Sequence, residues 1–354
     1  MKTNQLILAA ALVALAACNK ESYDLTGPNT LNDEIGFTAV TKKATKADNA
    51  IVTETTLPTA NTFKVWGWQS QEGDFSDVTD GLVSNFMPGV VISYTTGRDT
   101  NKDAAWRNES KYYYWPFTGA ISFLAVHPSG ITTGTPAWDT TTGKPEVAIA
   151  NYTIAAANKT TDLMFATNAS ARRTDALPMV FKHALSQIEV KVKTNEDYSA
   201  DVTFDVESVT FKNIDLSGDV LYSNNTIAWT ENDTQDQNWT YYDTVLENIN
   251  DSYQVYGAAQ VMIPQPANIK ADELDPGDAN YDADDHVQTI ITIGYSMTQT
   301  GSTKITGTVD VALPMLWEAG KKYNYTINFR LNEILFDPTV ENWVGVDVTT
   351  INIY

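Results

Sequence analysis

The chain reads as an all-β protein organised as two antiparallel β-sandwich domains in tandem. Apolar and polar residues alternate with period two in many short segments, which places successive side chains on opposite faces of a strand. Clusters of Gly, Pro, Asn and Asp punctuate those segments at the spacing of sandwich turns. Beyond the first residues no segment sustains a 3.6-residue apolar period, so nothing calls for a helix. Nine Trp and 17 Tyr against only 19% charged residues agree with this, because aromatic and β-branched side chains suit a pleated, half-buried surface.

The elements follow in order. Lys2 precedes an uninterrupted apolar stretch from Leu6 to Ala17, which stops at Cys18, the only cysteine. Residues 1–17 are therefore expected to be a signal peptide. Leu15, Ala16 and Ala17 form the small-residue box that a lipoprotein signal peptidase accepts ahead of a lipidated Cys18. Roughly 12 apolar residues are too few to cross a hydrocarbon core that needs about 20. Acyl chains on Cys18, palmitate among them, would hold the chain on a membrane without spanning it. Without a second cysteine no disulfide framework is expected. Residues 18–34 are polar and aperiodic, and read as a flexible tether.

About 320 residues then remain, more than one core usually organises, so two domains are expected, 35–174 and 175–354. Ile35, Phe37 and Ala39 alternate with polar or small neighbours and predict the first strand, followed at once by Lys42, Lys43 and Lys46. Val65 to Trp68, Tyr112 to Trp115 and Ile121 to Val126 are the next clear strands, the last two ended by Pro116 and Pro128. Composition turns small and polar between Ala169 and Leu177, with Arg172 and Arg173 adjacent, and the boundary is placed there. In the second domain Ile188, Val190 and Val192 alternate with Glu189, Lys191 and Lys193. Ile305, Val309, Val311 and Leu313 share a face. Tyr323, Tyr325, Ile327, Phe329 and Leu331 alternate with Lys322, Asn324, Thr326, Asn328 and Arg330. Each predicts one buried face and one wet face.

Several function classes are disfavoured by composition. A net charge of −21 opposes binding to nucleic acid, whose phosphates require clustered Lys and Arg. Of the three histidines, His127, His183 and His286, none lies near a nucleophile motif, and His127 and His183 are expected to be structural. No phosphate-cradling glycine loop occurs, so no catalytic residue and no cofactor is expected. In the acidic stretch 272–286, Asp278, Asn280, Asp282 and Asp284 space like a calcium loop. However, Ala283 stands where such a loop needs Gly and Thr289 where it needs Glu, so a solvated loop and no metal are expected. Asp99, Asn101 and Asp103 are a shorter version of the same pattern. Trp66, Trp68, Trp106 and Trp138 could form a sugar-stacking platform, although Trp66 and Trp68 share parity around Gly67 and fit a core or a domain interface better.

A set of segments in order carries a resemblance. The box ending at Cys18, the strand Ile35 to Ala39 with the Thr/Lys/Ala stretch 41–47, Tyr112 to Pro116, Ile121 to Pro128 and Thr161 to Ala166 form its first half. Val180 to Ile188, Ile263-Pro264-Gln265, Trp317 to Thr326 and Val340 to Trp343 complete it. Together they resemble the fimbrillin family of Bacteroidales, the subunits of type V pili and their Mfa-like relatives. The resemblance implies two transthyretin-like sandwiches, passage to the cell outer membrane as a lipoprotein, and a place in a surface fimbrium. It further implies that an Arg- or Lys-specific protease removes the lipidated leader with the first strand. A terminal strand of the next subunit then fills the opened groove.

On these residues the removable strand would be Ile35, Phe37 and Ala39, and the cut would fall at Lys42, Lys43 or Lys46. The donor would be the tail 344–354, in which Val344, Val346 and Val348 alternate with polar or small residues and Ile351 and Ile353 continue after a one-residue shift, as a bulge allows. No arginine precedes Arg98, so either a Lys-specific enzyme acts or the lipid anchor stays. The link from Leu331 to Trp343 is short for an appendage. Expected partners are other fimbrial subunits, in a homo- or hetero-polymer, the outer membrane through the anchor, and a host protein or glycan. The alternative is a surface lipoprotein that binds glycan or a host protein without polymerising.

Overall fold

The computed structural model describes residues 34–43, 53–70, 83–95, 104–116, 119–171, 176–231, 237–265, 289–313, 317–330 and 334–342. Among them every regular element is a strand, as the period-two patterning predicts. The first ten are β1 (Phe37–Lys43), β2 (Thr53–Thr56), β3 (Thr62–Gln69), β4 (Val83–Thr95), β5 (Ala105–Arg107), β6 (Ala120–His127), β7 (Ala137–Asp139), β8 (Lys144–Thr153), β9 (Met164–Ala171) and β10 (Leu177–His183). Then come β11 (Ser186–Thr194), β12 (Val202–Ile214), β13 (Ser217–Ser223), β14 (Thr226–Glu231), β15 (Gln237–Tyr242) and β16 (Leu246–Ile249). The last six are β17 (Gln254–Val255), β18 (Gln260–Met262), β19 (Ile290–Gln299), β20 (Ile305–Ala312), β21 (Lys321–Phe329) and β22 (Ile334–Asn342).

The first sheet runs β10-β9-β6-β3-β4-β5-β1-β2, and a further pairing of β10 with β1 closes it into a ring with β2 attached outside. That closing pair is parallel, from Phe37↔Leu177 to Thr41↔Phe181. Inside the ring lies one core, built on Phe37, Phe63, Trp106, Phe123 and Phe181. Strand β6 is buried at every position. Ile121, Phe123 and Ala125 face that first core, while Leu124 and Val126 face a second core outside the ring. A strand covered on both sides reads as an apolar run without polar alternation, which is what Phe123 to Val126 shows, with Ser122 buried beside them.

The second core lies between two five-stranded sheets, β17-β11-β21-β22 with β18 also on β11, and β15-β12-β19-β20 with β16 also on β12. Phe211 on β12 meets Tyr325 on β21 at 5.8 Å between ring centroids, and Phe204 meets Phe329 at 5.6 Å. The faces of the two sheets therefore interlock. β11 alternates buried and half-buried residues along its length, and pairs in parallel with β21 from Gln187↔Lys322 to Thr194↔Phe329.

The boundary expected at 174/175 falls between β9 and β10, which are antiparallel neighbours in one sheet. The small, polar composition around Arg172 and Arg173 marks the connection between two paired strands, and such a connection has the same composition as a linker. A second sheet crosses the boundary as well. β7 and β8 from the first half pair with β13 and β14 from the second, in the order β14-β13-β8-β7. It packs against the ring through Phe165 and Tyr222, stacked at 5.1 Å and 7°, and is tied to the start of β11 by Trp229 Nε1 donating to the Ala184 carbonyl at 2.7 Å.

Four further expectations change. Tyr112 to Trp115, expected as a strand, lies outside every strand of the described residues and makes only the isolated bridge of Tyr114 to Glu34. Ile305 on β20, expected on a buried face, is 59% exposed. Asn324 and Thr326 on β21, predicted wet, are buried. Asn324 sits in register with Glu189, whose carboxylate gathers Lys191 Nζ at 3.1 Å and Lys322 Nζ at 3.0 Å, so this face carries a paired charge cluster. The segment after Leu331, predicted as a short link, contains β22, which pairs with β21 from Phe329↔Ile334 to Lys321↔Asn342. Pro338 hides its period, and an edge strand tolerates a proline that donates no ladder bond.

Candidate functional site: the first strand and its slot

The N-terminal strand is built into the first core. Ile35, Phe37 and Ala39 are 3%, 0% and 0% exposed, all on the inward face, as their alternation requires. The Phe37 ring meets Phe123 edge-on at 5.2 Å and Phe63 at 6.3 Å. Burying Ile35 and Phe37 contributes about 1.5–3 kcal/mol each relative to leaving them in water.

Backbone pairing holds the strand on both sides. On one side it follows β10, and the Leu177 amide donates to the Gly36 carbonyl at 2.8 Å. On the other, the Ile35 amide donates to the Tyr113 carbonyl at 2.7 Å and the Leu57 amide to the Ala39 carbonyl at 2.9 Å, with Phe37 in register with Trp106. Lys42 and Lys43 are the last residues of the strand, in register with Glu54 and Thr53 of β2. Lys46 lies outside the described residues, as do Leu15, Ala16, Ala17 and Cys18, the tail with Val344, Val346, Val348, Ile351 and Ile353, and the acidic stretches 99–103 and 272–286.

Sequence reasoning missed the charged end of this site. Glu34, assigned to the tether, is buried and bridges to Tyr114. Its Oε2 lies 3.8 Å from Arg107 Nε, with the two side chains only 3% and 11% exposed. The guanidinium crosses the strand above Gly36, where an added Cβ would come within 3.2 Å of Arg107 Nε. A glycine between two alternating apolar residues was the available signal, since glycine inside a strand often marks a close approach.

A cleft of about 500 Å³ opens beside the far end of β1, lined in part by Thr41, Leu57, Asn61, His127, Asp162 and His183. His127 Nδ1 hydrogen-bonds with the Thr62 carbonyl at 2.9 Å, and burial lowers its pKa. Asp162 is hydrogen-bonded to His183 Nδ1, and desolvation raises the pKa of its carboxyl. These side chains brace β3, β6, β9 and β10 against one another. Among the described residues no group of three or more potential ligands could hold a metal ion, and no helix is long and apolar enough to cross a membrane.

The four tryptophans do not form one platform. Trp106 lies inside the ring, 5.3 Å from Phe63 and 5.6 Å from Tyr94. Trp68 belongs to the second core, with Trp138 6.3 Å away and Trp66 packed against the same cluster. Trp66 and Trp68 therefore serve a shared core, as their parity suggests, and they also line a shallow cavity of about 330 Å³ with Met87 and Pro88.

The fimbrillin-like family model matches residues 25–343, so the chain belongs to the fimbrillin-like family. Among solved structures it is similar to a fimbrial protein from Bacteroides vulgatus ATCC 8482, with 17% identity, 88% of this chain and 100% of that one covered, and a TM-score of 0.58. Candidate cell adhesion proteins from Bacteroides uniformis ATCC 8492 and Bacteroides ovatus ATCC 8483 follow. The first has 16% identity, coverage of 89% and 100%, and a TM-score of 0.49; the second has 13%, 90% and 98%, and 0.47. At these identities the likeness is one of fold. A search of curated proteins finds no match. Family membership makes the chain a structural, non-enzymatic subunit of a cell-surface fimbrium that assembles with other fimbrial subunits.

Proposed function

We propose that the subunit reaches the outer membrane as a lipoprotein anchored through Cys18 and that it assembles by exchange of its first strand. A Lys-specific protease cuts at Lys42, Lys43 or Lys46, and the leader departs with Ile35, Phe37 and Ala39. The observation that supports this is the position of β1. It is the most N-terminal strand described, and it closes a ring and fills its core with Phe37. Its removal uncovers apolar surface and two rows of backbone donors and acceptors, a state that another extended chain relieves by strand addition. The tail 344–354 is the segment proposed to do this for a neighbouring subunit.

The test is a cell that produces the chain lacking residues 344–354. The truncated subunit is expected to fold and reach the surface but to be missing from sheared fimbriae. Normal incorporation would show that the tail is not the donor. Replacing Cys18 with Ser is expected to leave the leader on an unlipidated, misplaced precursor; normal surface display of that variant would remove the anchor from the scheme.

A further inference from the structure

The slot that β1 occupies has a chemical signature more specific than "apolar strand". Reading along it, the buried Glu34 carboxylate faces Arg107, Ile35 is enclosed, Gly36 passes beneath the guanidinium, Phe37 fills an aromatic cage, Thr38 is exposed, and Ala39 is fully enclosed. An occupant that restores all of these contacts reads acidic, apolar, glycine, aromatic, any residue, small.

This chain's own tail does not read that way. Aligning its one glycine, Gly345, with Gly36, the match that leaves the Arg107 side chain where it is, allows two registers. In the direction of β1, Trp343 replaces Glu34, Val346 replaces Phe37 and Val348 replaces Ala39. The carboxylate facing Arg107 is lost, a void opens beside Phe63 and Phe123, and two extra methyl groups are forced into a closed site, each of which destabilises. In the opposite direction Asp347 faces Arg107, but Asn342, the last residue of β22, would have to leave its own sheet and enter the buried place of Ala39.

We propose that the slot selects a strand from a different fimbrial subunit, one that carries an acidic residue three positions before an aromatic ring and a glycine immediately before that ring. The chain therefore sits in a heteropolymer and does not accept its own tail. This rests on the reading that β1 leaves, and the experiment separates the two. A recognition site for a sequence-specific protease is inserted after Lys46 in the full mature chain, which is then cut. Fluorescent peptides are titrated in: residues 33–41, the same peptide with Glu34→Gln or with Phe37→Val, and residues 343–354.

Peptide 33–41 is expected to bind tightest, and each substitution to weaken it by roughly 10- to 100-fold. The tail peptide is expected to be weaker still. In a protein carrying Arg107→Gln the discrimination between Glu34 and its Gln substitute should vanish; if that variant fails to fold, the peptide series on the unaltered protein decides. Tail binding as tight as that of 33–41, or indifference to Glu34→Gln, would overturn the selectivity while leaving strand exchange intact. If the cut leader is never released and no peptide enters, strand exchange itself is overturned.

Discussion

Among the described residues two strand pairs are parallel, β1 with β10 and β11 with β21, and the difference between β1 and β11 explains why only β1 suits the proposed removal. Both present alternating apolar side chains to a core. β11 is internal to the chain, is paired along its other edge by β17 and β18, and is followed by a tight succession of strands in its own core. β1 lies at the N-terminal end of the described fold, and one cut behind it frees it. On the proposed scheme the same backbone pairing is permanent in one place and separable in the other, according to where the strand falls in the chain.

The largest test of that contrast is hydrogen exchange on the cut and stripped chain. Protection is expected to collapse along β10 and β5, which line the vacated slot, and to persist along β11 and β21. Loss of protection in β21 together with β10 would mean that the two cores open as one unit. Next in size, Phe37→Ala is expected to cost about 3–5 kcal/mol in urea unfolding, because a fully buried ring leaves a cavity among Phe63, Phe123 and their neighbours. A cost near zero would show that the ring adds nothing to closure. Trp229→Phe should cost about 1 kcal/mol through the lost bond to Ala184, where the four-stranded sheet crosses between the regions.

The smallest effect is one of pH. His127 is less basic folded than its ordinary value of 6.5, first because it is buried. The unfolded chain then binds more protons in the window below 6.5, so stability falls as pH drops through it. Asp162 and His183 share the cleft, and the raised pKa of Asp162 has the opposite sign, its protonated form favouring the folded state. His127→Gln is therefore expected to flatten the decline in melting temperature between about pH 7 and about pH 5. An unchanged slope would assign the decline to other groups.

Particular residues show how much of this was legible. Ile188, Val190 and Val192 were readable as a buried face because β11 has one dry side. Ile35, Phe37 and Ala39 were readable for the same reason, and they mark the centre of the candidate site. Glu34 and Arg107 were not, since a lone acid next to a polar segment looks the same whether it faces water or a guanidinium from a distant strand. Asn324 was misjudged because alternation along β21 says nothing of its neighbour across the sheet, Glu189, on which Lys191 and Lys322 converge. β10 was placed in the wrong half because period two says which side chains point inward and nothing about which sheet receives them.

By itself, then, the sequence determined that the chain is all-β, where β1, β3, β6, β11 and β21 lie, and which residues of β1 and β11 turn inward, because side-chain alternation follows from the local pleat alone. The tertiary structure decided that β1 closes a ring against β10, that β8 crosses to join β13, and that Arg107 reaches over Gly36. Those are pairings between residues far apart in the chain, and no local period encodes which distant edge a strand will meet.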